Sequence, residues 1–473
     1  MCPTENPTDD PVGLVTSQYS FPFPLYEFQQ EAVEDLCELP RSALFMDIGC
    51  GKTVTSTVLA LYKGLTGEID QIIILMPPIL LLQWARWLRS IGLNVLVYKG
   101  TPVQRRAMDL STDAVLMSFQ IFKRDYAALT SFFEKRRVFV IVDEAAAIRR
   151  PQTLTFTAVK DFVNLPNKQL TMLTGTAINK PYHCYGYIAL KTPTVYRDWR
   201  QFVTVHITGT DQYDEPSSYT NLGLLAENMA LNSVRIRAED VLELPPVVYV
   251  PIEYELEPAH QRAYNKLVEE KLLELEDNKL LDGTTQQRLY HTCQRLILTA
   301  TETFKPVALQ FVEALAEELN IFSGSGEKIV VYVNYKDSNE AVFAHVKSVP
   351  GLNPIQAYGK IGADGNLRNV DRFLSDPSIN VLIANPRSIG IGLNLQGVCR
   401  AVQFLELPLT SNDFSQAMGR VYRDGQKKKC IVQMAVAVGT IQTELKKRVV
   451  QKEDLVQKLM PTKQTLRLAL YGR

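Results

Sequence analysis

The stretch Met46-Asp47-Ile48-Gly49-Cys50-Gly51-Lys52-Thr53 follows an apolar run, Ala43-Leu44-Phe45, and precedes a helical pattern. It reads as the turn from a strand into a helix N-terminus. Such a turn is a phosphate cradle, because glycines let backbone N–H groups close on phosphate oxygens and the first helical turn adds unpaired donors. Gly49, Cys50, Gly51, Lys52 and Thr53 are therefore the candidate nucleotide loop. Lys52 would bring a mobile charge to the β and γ phosphates, and the Thr53 hydroxyl would ligate Mg2+. Met46 stands where the strict pattern has its first glycine, so a second element has to support the reading. That element is Val140-Ile141-Val142-Asp143-Glu144, a buried-strand run ending in two carboxylates. Asp143 would hold Mg2+ and Glu144 would polarise an attacking water. Loop and carboxylates together point to nucleotide hydrolysis.

Outward from this pair, the runs 43–46, 72–76, 95–98, 114–118, 138–142 and 170–173 alternate with helical stretches. Alternation of this kind predicts an α/β fold with a parallel sheet covered by helices. A second block, 328–333, 355–358, 380–384, 401–405 and 430–437, repeats the pattern without a Gly-Lys-Thr. Between the blocks, 179–244 reads as mostly helical and aromatic, Pro245-Pro246 as a boundary, and 257–300 as long charged helices. The expected organisation is a disordered acidic lead-in over 1–20, a first lobe over 21–245, a second over 246–440 and a basic helical tail over 441–473.

The 473 residues carry no net charge, with 46% hydrophobic and 22% charged residues. Neutrality hides an asymmetry. Residues 1–40 hold eight acidic residues and no Lys or Arg, whereas 420–473 hold thirteen Lys or Arg against four acidic residues. A basic end fits contact with a polyanion; a solvated helix face is the alternative. Replacing Lys446, Lys447 and Arg448 is expected to weaken binding of such a polyanion uniformly across its sequences. The longest apolar run, Ile72–Leu82, has 11 residues and is interrupted by Pro77-Pro78, short of the ~18 a membrane helix needs. The acidic start does not read as a signal peptide, so the expected setting is the cytoplasm or another DNA-containing compartment. Seven cysteines without a Cys-x-x-Cys pair fit reduced thiols rather than disulfides or zinc. Cys50 could be an activated thiol at a helix N-terminus, but a small filler is the favoured reading.

The block Gln416-Ala417-Met418-Gly419-Arg420-Val421-Tyr422-Arg423-Asp424-Gly425-Gln426 resembles motif VI of superfamily 2 helicase-like ATPases, in the form of the SWI/SNF branch. The resemblance extends in family order from Tyr26 to about residue 440. Leu25-Tyr26-Glu27-Phe28-Gln29 is similar to the element that sets a glutamine against adenine. Ile74–Trp87, with Pro77, Gln83 and Trp84, resembles motif Ia, and Met117-Ser118-Phe119-Gln120 motif Ib. Asp143-Glu144-Ala145-Ala146 stands at motif II and Thr174-Gly175-Thr176-Ala177 at motif III. Val234-Arg235-Ile236-Arg237 resembles the approach to the second lobe, and Ser388-Ile389-Gly390-Ile391-Gly392-Leu393-Asn394-Leu395 resembles motif V.

The resemblance implies two RecA-like lobes with the ATP site in the cleft between them. It implies Lys52, Asp143, Glu144, Arg420 and Arg423 as catalytic residues, the two arginines sharing one helix face. Gln29, Gly392 and Gln416 become further nucleotide contacts, with Thr174, Gly175 and Thr176 coupling hydrolysis to movement. Lys99, Ser118, Lys123, Thr174, Thr176, Ser388 and Asn394 become candidates for the nucleic-acid backbone; a capping serine or a solvated lysine is the plain alternative for each. The implied partner is duplex or branched DNA, gripped without sequence preference. Two departures stand out. Ala146 replaces the usual motif II histidine, and Glu406-Leu407-Pro408-Leu409-Thr410-Ser411 replaces an aromatic-containing segment before motif VI. The pattern is most similar to compact members, phage-type or annealing-helicase-like, which admits a phage-encoded protein acting in a host cytoplasm. Alternatives are a strand-separating DNA or RNA helicase and a non-catalytic ATP-binding clamp.

Overall fold

The structure is a computed structural model that describes residues 10–211, 214–274, 280–282, 286–388, 394–447 and 459–460. The chain divides into two compact units, Met1–Leu242 and Glu243–Lys452, and Leu459 and Met460 join the core of the first. Each unit is a RecA-like lobe. Among the described residues no helix is long and apolar enough to cross a membrane.

In the first unit the strands are β1 (Arg41–Met46), β2 (Gln71–Met76), β3 (Val95–Val97), β4 (Ala114–Ser118), β5 (Val138–Asp143), β6 (Lys168–Leu173) and, after a hairpin of β7 (Ile207–Thr210) and β8 (Pro216–Tyr219), β9 (Ser233–Ile236). Seven of them form one sheet in the order β3-β4-β2-β5-β6-β1-β9, and every pairing is parallel. All six residues of β2 and of β5 are buried, as a parallel sheet covered on both faces requires. Parallel pairing lines up the carboxyl ends: Asp143 of β5 lies opposite Leu173 of β6, and Met46 of β1 opposite Ile236 of β9.

The second unit repeats the design with β10 (Val247–Tyr254), β13 (Ile329–Tyr332), β14 (Pro354–Ala357), β15 (Val381–Ala384), β16 (Ala401–Phe404) and β17 (Cys430–Ala437), after a small antiparallel pair of β11 (Leu272–Glu274) and β12 (Leu280–Asp282). The sheet order is β10-β17-β16-β13-β15-β14, again all parallel. The two-residue period of a strand is visible in the packing. Val330 and Tyr332 of β13 enter one core with Leu382 and Ala384 of β15, while Ile329 and Val331 enter the other with Val381 and Ile383.

Several expectations need correction. Residues 11–18 are not a disordered lead-in but a helix, α1 (Pro11–Gln18), because Asp10 accepts the Gly13 N–H at 2.7 Å, Pro11 fits the first turn and Val12 and Val15 are buried. The 179–244 stretch, read as mostly helical, is so except for the β7–β8 hairpin and β9, which completes the sheet beside β1. The long helices expected over 257–300 are Pro258–Glu270 and Gln286–Ile297, separated by β11 and β12. β10 was missed because it pairs with β17, some 180 residues later in sequence.

Candidate active site

The nucleotide loop is built by the junction of β1 with α3 (Lys52–Leu65). Gly49 and Gly51 have φ of 94° and 79°, a region that a residue with a Cβ enters at a cost of about 1–2 kcal/mol. A Cβ on Gly51 would also lie 2.2 Å from Gln29 Nε2. The helix starts at Lys52 without a side-chain cap, so its first donors are open to an anion. Lys52 Nζ is held inside the loop, donating to Met46 O at 2.8 Å and Asp47 O at 3.1 Å. Thr53 stands partly exposed in the first turn. These features fit a polyphosphate. Burial pushes the Cys50 thiol up to about 12, which makes it the inert filler of the two alternatives.

Asp143 ends β5 and is buried within reach of the Lys52 charge. Its Oδ2 accepts the Trp84 indole N–H at 2.7 Å and its Oδ1 the Glu144 N–H at 2.8 Å. Burial raises the carboxyl above the ordinary range, opposed by the Trp84 bond, the nearby Lys52 charge and the Glu144 N–H. Glu144 is left-handed, with φ 53° and ψ 51°. Strain of this kind persists only where the surroundings enforce it.

Thr174-Gly175-Thr176 follows β6 directly. Thr174 N–H donates to Leu44 O of β1, and Thr176 N–H donates to Thr174 Oγ1 at 3.1 Å. A Cβ on Gly175 would lie 3.0 Å from Met46 O, so glycine is what lets this turn rest on the nucleotide loop. Thr174 and Thr176 are both buried there.

Gln29 lies on α2 (Glu27–Leu36) and is buried on the loop, donating from Nε2 to Cys50 O at 3.1 Å while Oε1 accepts the Tyr26 N–H. Its observed contacts brace the loop. Arg235 of β9, grouped by sequence with the approach to the second lobe, is tied to the loop instead. Its Nη1 reaches Asp47 Oδ1 at 2.8 Å and Phe45 O at 3.0 Å, and Asp47 Oδ2 accepts the Ala238 N–H. Neither Trp84 nor Arg235 was singled out as a site residue. The signal available for both was an aromatic or a guanidinium in a motif with no role yet assigned to it.

The remaining candidates are spread. Ser118 is buried and caps the helix Phe119–Arg124 through the Ile121 N–H, so it is the capping serine of the plain alternative. Lys99 is exposed and Lys123 partly exposed in the last turn of that helix. In the second unit Ser388 is partly buried and Asn394 exposed; Gly392 lies outside the described residues. Gln416 is partly exposed on the helix Ser411–Met418. Arg420 and Arg423 do not share a helix face: that helix ends at Met418, whose carbonyl accepts from both Val421 and Tyr422 in the turn that follows. Arg420 is buried near Tyr332, and burial lowers the Arg423 guanidinium. Gln426 holds this turn by donating to Cys399 O and Val421 O. In the tail, Lys446 pairs with Glu253 and Lys447 with Glu444, while Arg448 lies outside the described residues.

Comparison with known proteins gives the family. The SNF2-related domain family matches residues 28–304, and the helicase conserved C-terminal domain matches 310–425. The chain belongs to the SNF2-related family. Among its relatives, an uncharacterized ATP-dependent helicase of Mycoplasma pneumoniae is 23% identical over 92% of this chain and 42% of its own length. DNA repair protein rhp54 of Schizosaccharomyces pombe is 25% identical over 82% of this chain and 51% of its own. DNA repair and recombination protein RDH54 of Saccharomyces cerevisiae is 32% identical over 30% of this chain and 15% of its own. The SNF2-related chain thus spans about half or less of these curated relatives. A solved Sulfolobus solfataricus SWI2/SNF2 ATPase core in complex with double-stranded DNA aligns over 96% of this chain and 97% of its own, at 18% identity and a TM-score of 0.44.

Proposed function

We propose that this SNF2-related chain is an ATP-driven motor that moves along duplex or branched DNA, remodelling forks or junctions or displacing bound proteins. The observation that carries the reading is the meeting of Lys52, Asp143, Glu144 and Thr174-Gly175-Thr176 around one uncapped helix N-terminus at the carboxyl ends of β1, β5 and β6. Lys52 and the loop N–H groups hold the β and γ phosphates of ATP, and Thr53 and Asp143 hold the Mg2+. The metal, when bound, offsets the charge of the transferred phosphoryl group. Glu144 orients and deprotonates the water.

DNA-repair relatives favour DNA over RNA as the track. Backbone contacts carry no sequence information, so binding is expected to be nearly sequence-neutral and to weaken steeply with salt. The test is steady-state ATP hydrolysis alone and with single-stranded DNA, duplex DNA, a model fork or duplex RNA, with Lys52→Ala as blank. Strong stimulation by duplex or fork DNA is the expected result. Stimulation by single strands alone would replace the reading with strand separation. No turnover under any condition would replace it with a nucleotide-binding clamp, the reading that Ala146 at the motif II histidine position favours.

A further inference from the structure

The Trp84 indole is 1% exposed, and its N–H points at a carboxylate oxygen. Its helix, α4 (Leu81–Ser90), buries Leu81, Trp84, Ala85 and Leu88, the spacing of a single face, so Trp84 is held by packing on both sides along the helix. α4 follows β2 after Pro77-Pro78, and β2 pairs with β5 so that Leu75 lies opposite Val142. That register brings the start of α4 beside the end of β5. A buried indole needs an acceptor, and a backbone carbonyl would satisfy it. Here the acceptor is Asp143 Oδ2, at a charge-assisted distance of 2.7 Å, while the Glu144 N–H takes Oδ1 at 2.8 Å. With one donor on each oxygen, rotation of the carboxylate about its Cβ–Cγ bond is fixed, and each oxygen retains a lone pair. Ala146 contributes no donor from the motif II side.

We propose that Trp84 is a positioning residue for the metal site: its indole N–H sets the plane of the Asp143 carboxylate and leaves a lone pair on each oxygen available for the Mg2+ that Asp143 would hold. The proposal rests on the reading of Asp143 as the metal-holding carboxylate. Geometry prepaid in this way appears in metal binding itself, before any turnover. Trp84→Phe keeps an aromatic ring in the packing and removes the donor. Trp87→Phe is its control, because the Trp87 indole donates to Thr57 Oγ1 from the same helix without touching Asp143.

The experiment is a titration of Mg2+ into full-length protein holding a fluorescent ADP analogue, following nucleotide affinity and folding by circular dichroism. Losing a hydrogen bond to a charged group is expected to raise the Mg2+ concentration for half-maximal tightening about tenfold in Trp84→Phe. Metal-free nucleotide affinity should change less than about twofold, and Trp87→Phe should match the wild type. An unchanged Mg2+ midpoint in folded Trp84→Phe overturns the proposal. If Asp143→Asn also leaves the midpoint unchanged, the metal-site reading itself fails. Should Trp84→Phe not fold, the wild type serves. Its three tryptophans give three indole 15N–1H signals, assigned by elimination with Trp87→Phe and Trp199→Phe. The Trp84 signal is expected to shift on adding Mg2+ to the ADP-bound protein, and a fixed signal overturns the proposal.

Discussion

Each unit has a strand that runs through a short turn into a helix, and the two treat the helix N-terminus in opposite ways. After β1 the turn is Gly49-Cys50-Gly51, two residues have positive φ, and the uncapped start of α3 faces an open loop. After β13 the turn is Val333-Asn334-Tyr335 leading to the helix Lys336–Ser348, and a carboxyl group from the protein fills the place. Glu406, fully buried at the end of β16, accepts the Asn334 N–H at 2.6 Å and the Ser338 hydroxyl at 2.5 Å. The start of the helix is thus left open in one unit and filled from within the protein in the other.

The comparison is broken most severely at Glu144. If the first unit's open N-terminus is a hydrolytic site, Glu144→Gln should lower DNA-stimulated turnover by about 10²- to 10⁴-fold with ATP binding retained, measured by phosphate release and equilibrium nucleotide titration. Retained turnover would detach the carboxylate pair from the chemistry.

The next effect is on the second unit. Burial pushes the Glu406 carboxyl from its ordinary 4.5 up to about 7. A carboxyl raised on folding contributes stability that is whole below its unfolded value and is lost as pH rises through the folded one. The unit should therefore lose on the order of 3 kcal/mol between about pH 4.5 and 7, read from hydrogen exchange of β13 and β16 amides. Glu406→Gln should flatten that dependence. A flat wild-type profile would mean the buried carboxylate stays ionised.

Gly51→Ala sharpens the contrast in backbone freedom. The φ of 79° and the 2.2 Å approach to Gln29 predict nucleotide binding weakened by about tenfold, with Gln29 displaced from Cys50 O. Binding titrations check it, and Ala at Gly64, where a Cβ meets nothing within 4 Å, is the silent control. The smallest effect belongs to α1. Asp10→Ala should cost about 1 kcal/mol through loss of the cap, seen as faster local exchange over 11–18 with no change in turnover.

Motifs of short range were legible. The nucleotide loop, the β5 carboxylates and the alternating strands announce themselves because glycine, lysine and buried apolar runs act locally. The run 72–76 became β2 with one residue added, and 430–437 became β17 without change. What failed depended on distant partners. β9 is four residues of mixed polarity that become a strand only because β1 offers an open edge. The helix expected to carry Arg420 and Arg423 stops at Met418, in a turn that Gln426, the last residue of the motif, ties to Cys399 O on another part of the unit. Ser118 looked like a backbone contact and is a helix cap.

The sequence alone determined the chemistry available to this SNF2-related chain: a phosphate loop, two carboxylates on a buried strand, and a second sheet lacking a loop of its own. These are properties of residue type and spacing within a few positions. Only tertiary structure decided which side chains brace that chemistry. Trp84 reaches Asp143 across 59 positions, Arg235 reaches Asp47 across 188, and Glu406 reaches Asn334 across 72. A buried polar group takes its partner from whatever the packing of sheets and helices brings within 3 Å, and no local pattern encodes that meeting.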